Sequence, residues 1–226
     1  MALAHSPKII TDGLVLCLDA GNTKSYPGSG TTWTDLSGRG NNGSLENGVG
    51  YNGSNLGSLV FDGSNDYVSI PNPITSNLPY TVLQWIKPNV ALPDTTSANS
   101  RKTPLVGPGP IWNPGYWMTA RVFRVHAQTE YRDVTINWVG DTGWHQVGQI
   151  FDGTTCYTVI DGSVLLGTRI AYNPLVPSTI LMGAETTTGS GKNWNGNISN
   201  TTFYGRALTP QEIQQNFNVL RGRFGI

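Results

Sequence analysis

The stretch FDGTTCYTVIDGSVL, residues 151–165, limits the fold more than any other part of the chain. Asp-Gly pairs at 152–153 and 161–162 bracket TTCYTVI, a run of β-branched and aromatic residues. Asp followed by Gly suits a tight turn, because Gly adopts positive φ without a steric cost and Asp can bond the backbone just beyond it. Two such turns so close together predict consecutive antiparallel hairpins. Asp-Gly recurs at 12–13 and 62–63, and short Val, Ile, Tyr, Phe and Thr runs lie between turn residues along the chain. Those runs fall at 14–18, 58–61, 67–70, 80–87, 121–127, 134–139, 144–151, 155–160 and 179–183. Many short strands spaced by turns predict an all-β sandwich or barrel.

One segment has a different period. In LTPQEIQQNFNVLRGRFG, Thr209 is placed to cap a helix, with Pro210 at its first position and Glu212 completing a capping box. Leu208 and Ile213 are spaced for a hydrophobic staple, and Ile213, Phe217 and Leu220 share one face. Gly222 supplies the expected stop. The pattern predicts one short helix over about 210–221, packed back on the β structure. The connections at 19–57 and 88–116 are long, which in a compact domain often marks function. No internal repeat breaks the chain, so residues 1–226 read as a single domain.

Formal net charge is zero and charged residues are 12% of the chain, about half of the ~25% usual in soluble domains. The polar surface is therefore built from Thr, Ser, Asn and Gly. Without a basic excess, nothing in the sequence matches a phosphate backbone, so no nucleic-acid partner is expected. No apolar run is long enough to span a membrane. The N-terminal stretch MALAHSPKIITDG lacks a basic region followed by a long apolar core, so no signal peptide is expected. Cys17 and Cys156 both lie in apolar strand-like runs and are expected as buried thiols, with a cross-strand disulfide the alternative.

LVFDGSNDYVSI, residues 59–70, is open to several readings. Its acidic corner could be a metal loop, a sugar-binding rim or a turn. The turn is favoured, with the apolar runs as paired strands and Asp62-Gly63 reversing the chain.

This stretch also belongs to a longer series: GLVLCLDAGNTKSY (13–26), WTDLSGRGNNGSL (33–45), TVLQWIKP (81–88), GWHQVGQIFDGTTCYTVIDG (143–162) and NWNGNISNTTFYGRALTPQEIQQNF (193–217). In order and spacing the series resembles the laminin-G-like, concanavalin A-like domains. The resemblance implies a two-sheet antiparallel jelly-roll sandwich carrying the one C-terminal helix. The opening GLVLCLDAGNTKSYPGSGTTWTDLSG and the ending NFNVLRGRFGI resemble the single-domain versions in tailed-bacteriophage virion proteins, although Cys17 stands where an aromatic residue is common. That likeness implies a non-enzymatic structural component, a capsid decoration or a tail or fibre-associated protein. It would act by contact with other virion proteins or as a homo-oligomer, made in the host cytoplasm and placed on the particle exterior or tail. Attachment to a host-surface glycan is implied as a secondary role. The alternative is a carbohydrate-binding module or adhesin, with or without calcium.

Catalysis finds little support in the residues. Glycoside hydrolysis needs two carboxylates facing each other across a cleft. Only Glu46, Glu130, Glu185 and Glu212 are glutamates, none lies in the Glu-x-Asp-x-x-Glu arrangement of the glucanases of this fold, and Glu212 is already spoken for as a cap. His5, His126 and His145 fall in no hydrolase or zinc motif. No catalytic residue is assigned and no cofactor is required. Calcium is the one cation the ligand types would suit, through Asp35 and Asn41 in the first loop and Asp62 and Asp66 in the corner. Laminin-G-like relatives often hold calcium at a sandwich edge, which supports that set. Trp112, Trp117 and Trp194, in or beside loops, are the expected ligand-binding aromatics, while Trp85, Trp138 and Trp144 are expected in the core.

Overall fold

The computed structural model describes residues 8–74, 79–95, 102–106, 115–120, 122–127, 130–136, 141–165, 167–169, 177–188 and 191–226. Described strands are β1 (Leu14–Asp19), β2 (Thr32–Trp33), β3 (Gly43–Glu46), β4 (Gly50–Asn52), β5 (Ser58–Asp62) and β6 (Tyr67–Pro71). They continue with β7 (Tyr80–Pro88), β8 (Lys102–Val106), β9 (Gly115–Met118), β10 (Val122–Ala127), β11 (Glu130–Thr135) and β12 (His145–Phe151). The last are β13 (Thr155–Ile160), β14 (Ser163–Val164), β15 (Thr168–Arg169), β16 (Thr179–Met182) and β17 (Asn195–Tyr204), followed by helix α1 (Pro210–Arg221).

Two antiparallel sheets form the sandwich. The first runs β14-β13-β12-β7-β17-β5-β4, with β1 also paired to β17 and β15 to β13. The second runs β11-β10-β9-β8-β16-β6-β3-β2. Between them lies one apolar layer, to which the first sheet contributes Phe61, Val82, Ile86, Val147 and Phe203 and the second Val68, Ile70, Tyr116, Phe123 and Ile180. The chain belongs to the all-β class, and the expected jelly-roll architecture is present.

The two hairpins read from residues 151–165 form as expected. β12 pairs β13 through Phe151↔Cys156, and β13 pairs β14 through Ile160↔Ser163. At the second turn Asp161 and Gly162 both have positive φ, 47° and 76°, the conformation a two-residue hairpin turn demands. Both cysteines are free and buried.

Two expectations need correction. The corner in LVFDGSNDYVSI does not join paired strands: β5 pairs β17 and β4 in the first sheet, whereas β6 pairs β16 and β3 in the second. Residues 62–66 carry the chain from one layer to the other. The strand read at 134–139 instead spans Glu130–Thr135, because β10 turns back at once and pairs Ala127 with Glu130; residues 137–140 lie outside the described set. Gly222 is the C-cap of α1, as read. It stays right-handed (φ −60°, ψ −26°) and leads into a further turn over Gly222–Phe224 that ends at left-handed Gly225, φ 77°.

Helix α1 itself forms as read. Thr209 accepts from the Glu212 backbone N–H, and the Glu212 carboxylate accepts from the Thr209 N–H at 2.9 Å. Arg206 adds a forked pair to the same carboxylate at 2.9 and 2.6 Å. That guanidinium, before the smaller opposing effect of burial, holds Glu212 down from 4.5 to about 2. The helix covers the outer face of the first sheet, where Leu83 and Ile150 meet Leu208 and Ile213. As a result β7 is buried on both faces along most of its length.

Candidate functional site

The four expected calcium ligands are tied into the backbone and lie in two places. In the first loop, Asp35 Oδ1 accepts from the Cys17 and Ser37 amides at 2.9 and 2.8 Å. Its Oδ2 accepts from the Ser37 hydroxyl and the Asn41 amide. Asn41 spends its side-chain amide on the Val15 carbonyl. This carboxylate is the nucleus around which residues 35–42 wrap. In the corner, Asp62 Oδ1 accepts from the Ser64 amide at 2.7 Å, and Asp66 Oδ2 accepts from the Asp62 amide at 3.0 Å. The Ser64 bond, ahead of other backbone donors, lowers the Asp62 pKa, whereas burial raises that of Asp66.

The two loops sit toward opposite ends of β17. Asp35 bonds Cys17, which pairs with Thr202, while Asp62 pairs with Asn195. At ~3.3 Å per strand residue they stand roughly 20 Å apart. Among the described residues, no group of three or more His, Cys, Asp or Glu side chains comes together to hold a metal.

The expected aromatics are also displaced from the roles given to them. Trp117 lies within β9 and is 3% exposed, and Trp194, just before β17, is fully buried in the intersheet core. Neither indole face is open to a ligand, because both residues belong to the β layers and not to the loops beside them. Trp112 lies outside the described residues, as does Trp138. Trp85 and Trp144 are buried as expected, Trp85 stacked with Phe217 and Phe224 and Trp144 tilted against Phe224.

Two of the five exposed large apolar side chains among the described residues, Tyr51 and Leu56, lie at or beside the open edge of the first sheet; the others are Leu36, Val90 and Ile226. Among the described residues, Tyr51 is the one aromatic counted with the exposed large side chains, at 38%, and Leu56 is the most exposed of that group, at 68%. Tyr51 belongs to edge strand β4, paired with Leu59 of β5. Its ring lies 5.5 Å from that of buried Tyr26, tilted by 50°. Gly28 and Gly57 pass close beneath it. A Cβ at Gly57 would stand 2.6 Å from the Tyr51 hydroxyl and 2.3 Å from the Ala20 carbonyl oxygen, so only glycine fits there.

Leu56 owes its exposure to an unusual backbone. Asn55 and Leu56 are both left-handed, with φ of 53° and 67°, and Gly57 follows at 131°. For a residue as bulky as Leu this conformation costs on the order of 1–2 kcal/mol, and it persists only where surroundings enforce it. Here the C-terminus enforces it. Arg223 donates from Nε to the Asn55 carbonyl at 2.7 Å and from Nη2 to the Gly57 carbonyl at 2.8 Å. Its Nη1 meets Asp19 Oδ1 at 2.6 Å, and Nη2 also reaches the Ser199 hydroxyl at 2.6 Å. Ser199, at the bulge of β17, donates to the Gly57 carbonyl. Trp144 Nε1 donates to Asn55 Oδ1 at 3.3 Å, which ties the loop to β12 as well.

This rim was not singled out in the sequence. The available signal was YNGSNLGS (51–58), where a lone aromatic and a lone Leu interrupt turn-forming residues.

A second polar constellation joins the β13–β14 turn to the start of β12. His145 Nδ1 lies 2.8 Å from Asp161 Oδ2, and its Nε2 lies 2.9 Å from Asp141 Oδ1. Burial lowers the imidazole pKa, but the bonds and charges of Asp161 and Asp141 outweigh it, so the net shift is upward. The bond to His145 in turn lowers Asp141. An imidazole held by two carboxylates is a clip between turns.

The glutamates are similarly occupied. Glu212 caps α1, Glu185 pairs with Lys192 at 3.0 Å, and Glu46 accepts from the Ser44 hydroxyl. The Glu130 side chain lies outside the described set. No facing pair of acid and base carboxylates occurs among these three.

Residues 62–214 match the family described as the concanavalin A-like lectin/glucanases superfamily, Laminin_G_3. The chain belongs to that family. No curated protein matches the sequence. Among solved structures, the fold is similar to the binding domain of Paraclostridial Mosquitocidal Protein 1, at 17% identity and TM-score 0.69 over 92% of this chain and 52% of that one. It is similar to the ligand-binding domain of botulinum neurotoxin serotype D in complex with N-acetylneuraminic acid, at 15% identity and TM-score 0.69 over 92% and 51%. It is also similar to domain 4 of AbnA, a GH43 extracellular arabinanase from Geobacillus stearothermophilus, in complex with arabinotriose. There the identity is 15% and the TM-score 0.65, over 90% of this chain and 97% of that one. The chain thus spans about half the length of the toxin domains and nearly all of the arabinanase domain. At such identities the likeness is one of fold. No helix among the described residues is long and apolar enough to cross a membrane.

Proposed function

We propose that this chain is a non-catalytic carbohydrate-binding module of the adhesin type. The observation that carries this reading is the Tyr51–Leu56 rim: an aromatic side chain exposed on edge strand β4 and an aliphatic one held out by a strained and heavily braced loop. Strain of this kind tends to persist where geometry serves a contact. An aromatic ring beside amide and hydroxyl groups is suited to a sugar, which presents an apolar face and a polar circumference. The ligands named for two structural neighbours, N-acetylneuraminic acid and arabinotriose, support the same reading. So does the engagement of Glu46, Glu185 and Glu212 in caps and pairs. The module needs no cofactor: the calcium set at Asp35, Asn41, Asp62 and Asp66 serves as turn chemistry, and calcium would act at most on loop stability.

The virion setting implied by the ends of the chain is compatible with this role, since a particle exterior or tail is where a host glycan would be gripped. The ending NFNVLRGRFGI in particular supplies the Arg223 brace. The glycans named for two structural neighbours favour the binding role over a purely structural one.

A glycan array read with and without calcium, alongside release of reducing ends from the bound sugars, tests the proposal. Binding without hydrolysis is the expected result. Cleavage of a bound glycan, or no binding across neutral and acidic sugars, would overturn it.

A further inference from the structure

We infer that Asp19 at the end of β1, Ser199 at the bulge of β17 and the carbonyls of Asn55 and Gly57 form a receptor for a substituted guanidinium, which this chain fills with its own Arg223. The inference does not depend on the carbohydrate reading. Each guanidinium nitrogen meets its own oxygens: Nε the Asn55 carbonyl at 2.7 Å, Nη1 the Asp19 Oδ1 at 2.6 Å, and Nη2 the Gly57 carbonyl at 2.8 Å and the Ser199 hydroxyl at 2.6 Å. The Asp19 carboxylate supplies the opposite charge. These oxygens are spread along the edge of a planar group. A guanidinium fork reads that spacing, whereas an ammonium is a point charge. Calcium wants its oxygens about 2.3–2.6 Å from a single centre. The geometry therefore selects a guanidinium.

Three of the four oxygens are held by bonds that do not involve Arg223. The Ser199 hydroxyl donates to the Gly57 carbonyl at 2.6 Å, and the Ala20 amide donates to the Ser199 carbonyl at 2.9 Å. Asp19 Oδ1 also accepts from the Gly21 amide at 2.9 Å, and the Asp19 amide donates to the Ser25 hydroxyl at 3.1 Å. The Gly57 amide is fixed on the Ser54 carbonyl at 3.0 Å. The fourth oxygen belongs to Asn55, which is tied to Trp144 through its side chain and sits in the strained left-handed pair with Leu56. That carbonyl closes on the ligand, so occupancy of the receptor sets the Asn55–Leu56 backbone. Space for the ligand is kept by Gly21. A Cβ there would stand 2.1 Å from Nη2 and 2.4 Å from Cζ. Gly21 does not have positive φ, so its backbone would accept a side chain; what excludes one is the guanidinium. With Arg223 8% exposed and Asp19 20%, the ion pair is partly desolvated, and loss of the cation would leave the carboxylate without its charge partner.

Chemical rescue of the full chain tests this. Arg223→Ala, 13C-labelled, is titrated with ethylguanidinium, and in parallel with ethylammonium and with calcium, while the Leu56 methyl signal and the unfolding midpoint are followed. The substitution should move the methyl signal and lower the midpoint. Ethylguanidinium, below denaturing concentrations, should return the signal saturably toward its position in the intact protein and raise the midpoint; ethylammonium and calcium should do neither. Adding Gly21→Ala to Arg223→Ala fills the cradle and should abolish the rescue. Gly21→Ala alone, with Arg223 kept, should push the guanidinium off its four partners and move the Leu56 methyl as Arg223→Ala does. This last variant decides the matter if Arg223→Ala fails to fold.

Absence of saturable rescue in folded Arg223→Ala would overturn the receptor. Equal rescue by ethylammonium or calcium would overturn the guanidinium class, and rescue that survives in the double variant would place the ligand elsewhere. An unmoved Leu56 methyl in Gly21→Ala would overturn the control of Asn55–Leu56 by occupancy. All of these outcomes are read without sugar, so none of them decides the carbohydrate reading.

Discussion

Phe224 should be worth far more to stability than its place near the end of the chain suggests. Its ring lies 4.3 Å from Trp85, stacked at 22°, and 4.6 Å from Trp144, tilted at 40°. The residue is 6% exposed, Leu220 packs beside it, and the Arg223 guanidinium lies 5.2 Å from the ring centroid. An aromatic side chain buries roughly 150–250 Å², which at about 25 cal/mol per Å² gives ~4–6 kcal/mol. Reduction of a buried Phe to Ala typically costs about 3–5 kcal/mol. Because Gly222 and Gly225 flank Phe224 and let the backbone relax into the space left behind, Phe224→Ala should fall at the lower end, about 3 kcal/mol. Phe224→Leu separates area from geometry. It keeps most of the apolar contact but loses two ring pairs, each worth about 0.5–1.5 kcal/mol, and so should cost about 1–3 kcal/mol. Urea unfolding followed by tryptophan fluorescence reads both, with an unchanged slope required for the comparison. If Phe224→Ala unfolded within about 0.5 kcal/mol of the intact protein, the C-terminal turn would not belong to the cooperative unit. The brace on residues 55–57 would then have no firm anchor.

Other outcomes follow from the same contacts. Gly57→Ala should cost at least about 3 kcal/mol, since the new Cβ would meet the Ala20 carbonyl at 2.3 Å in a left-handed backbone; thermal unfolding checks it. Glu212→Ala should cost about 1–2 kcal/mol through the lost cap and Arg206 pair. Because Glu212 is held down to about 2 from 4.5, its contribution is present above the ordinary value and fades as pH falls through the folded one, so the gap between variant and parent should close in acid. His145, with its pKa raised above 6.5, has the opposite sign. Its contribution is full below that value and is lost as pH rises through the folded pKa, and Asp141→Asn should bring the titration seen by NMR downward. Burial pushes both Cys17 and Cys156 up to about 12, so Ellman's reagent should label neither thiol at pH 8 until the protein is unfolded.

What could be read from the sequence divides along physical lines. The β12–β13–β14 hairpins and helix α1 were legible because their signals are local: Asp-Gly turns in one case, a cap and a 3.6-residue period in the other. β17, the longest described strand, was not. Its sequence NGNISNTTFY has no apolar alternation, yet it lies at the centre of the first sheet and is almost wholly buried. Polar groups are tolerated there because distant residues satisfy them. Asn197 pairs with Ser58 and Asn89, Asn200 donates to the Leu18 carbonyl, and Thr201 accepts from Gln84. Sequence gives no view of partners so far along the chain.

The binding rim stayed hidden for the same reason. A Tyr and a Leu among Asn, Gly and Ser look like loop filler. Arg223, 168 residues from Asn55 in sequence, helps turn residues 55–57 into a fixed edge together with Ser199 and Trp144. The tryptophans misled in the reverse direction: Trp117 and Trp194 lie beside loops in the sequence but inside the layers in space. Asp62 and Gly63 were read correctly as a turn, but whether a turn joins strands of one sheet or of two depends on pairings made elsewhere.

The most direct test is a crystal structure of the protein soaked with arabinotriose. A sugar ring lying on Tyr51, with Leu56 at its edge, Arg223 still bonded to the Asn55 and Gly57 carbonyls and the trisaccharide intact, is the predicted result. A sugar bound at any other face, or a cleaved one held between two carboxylates, would contradict the account.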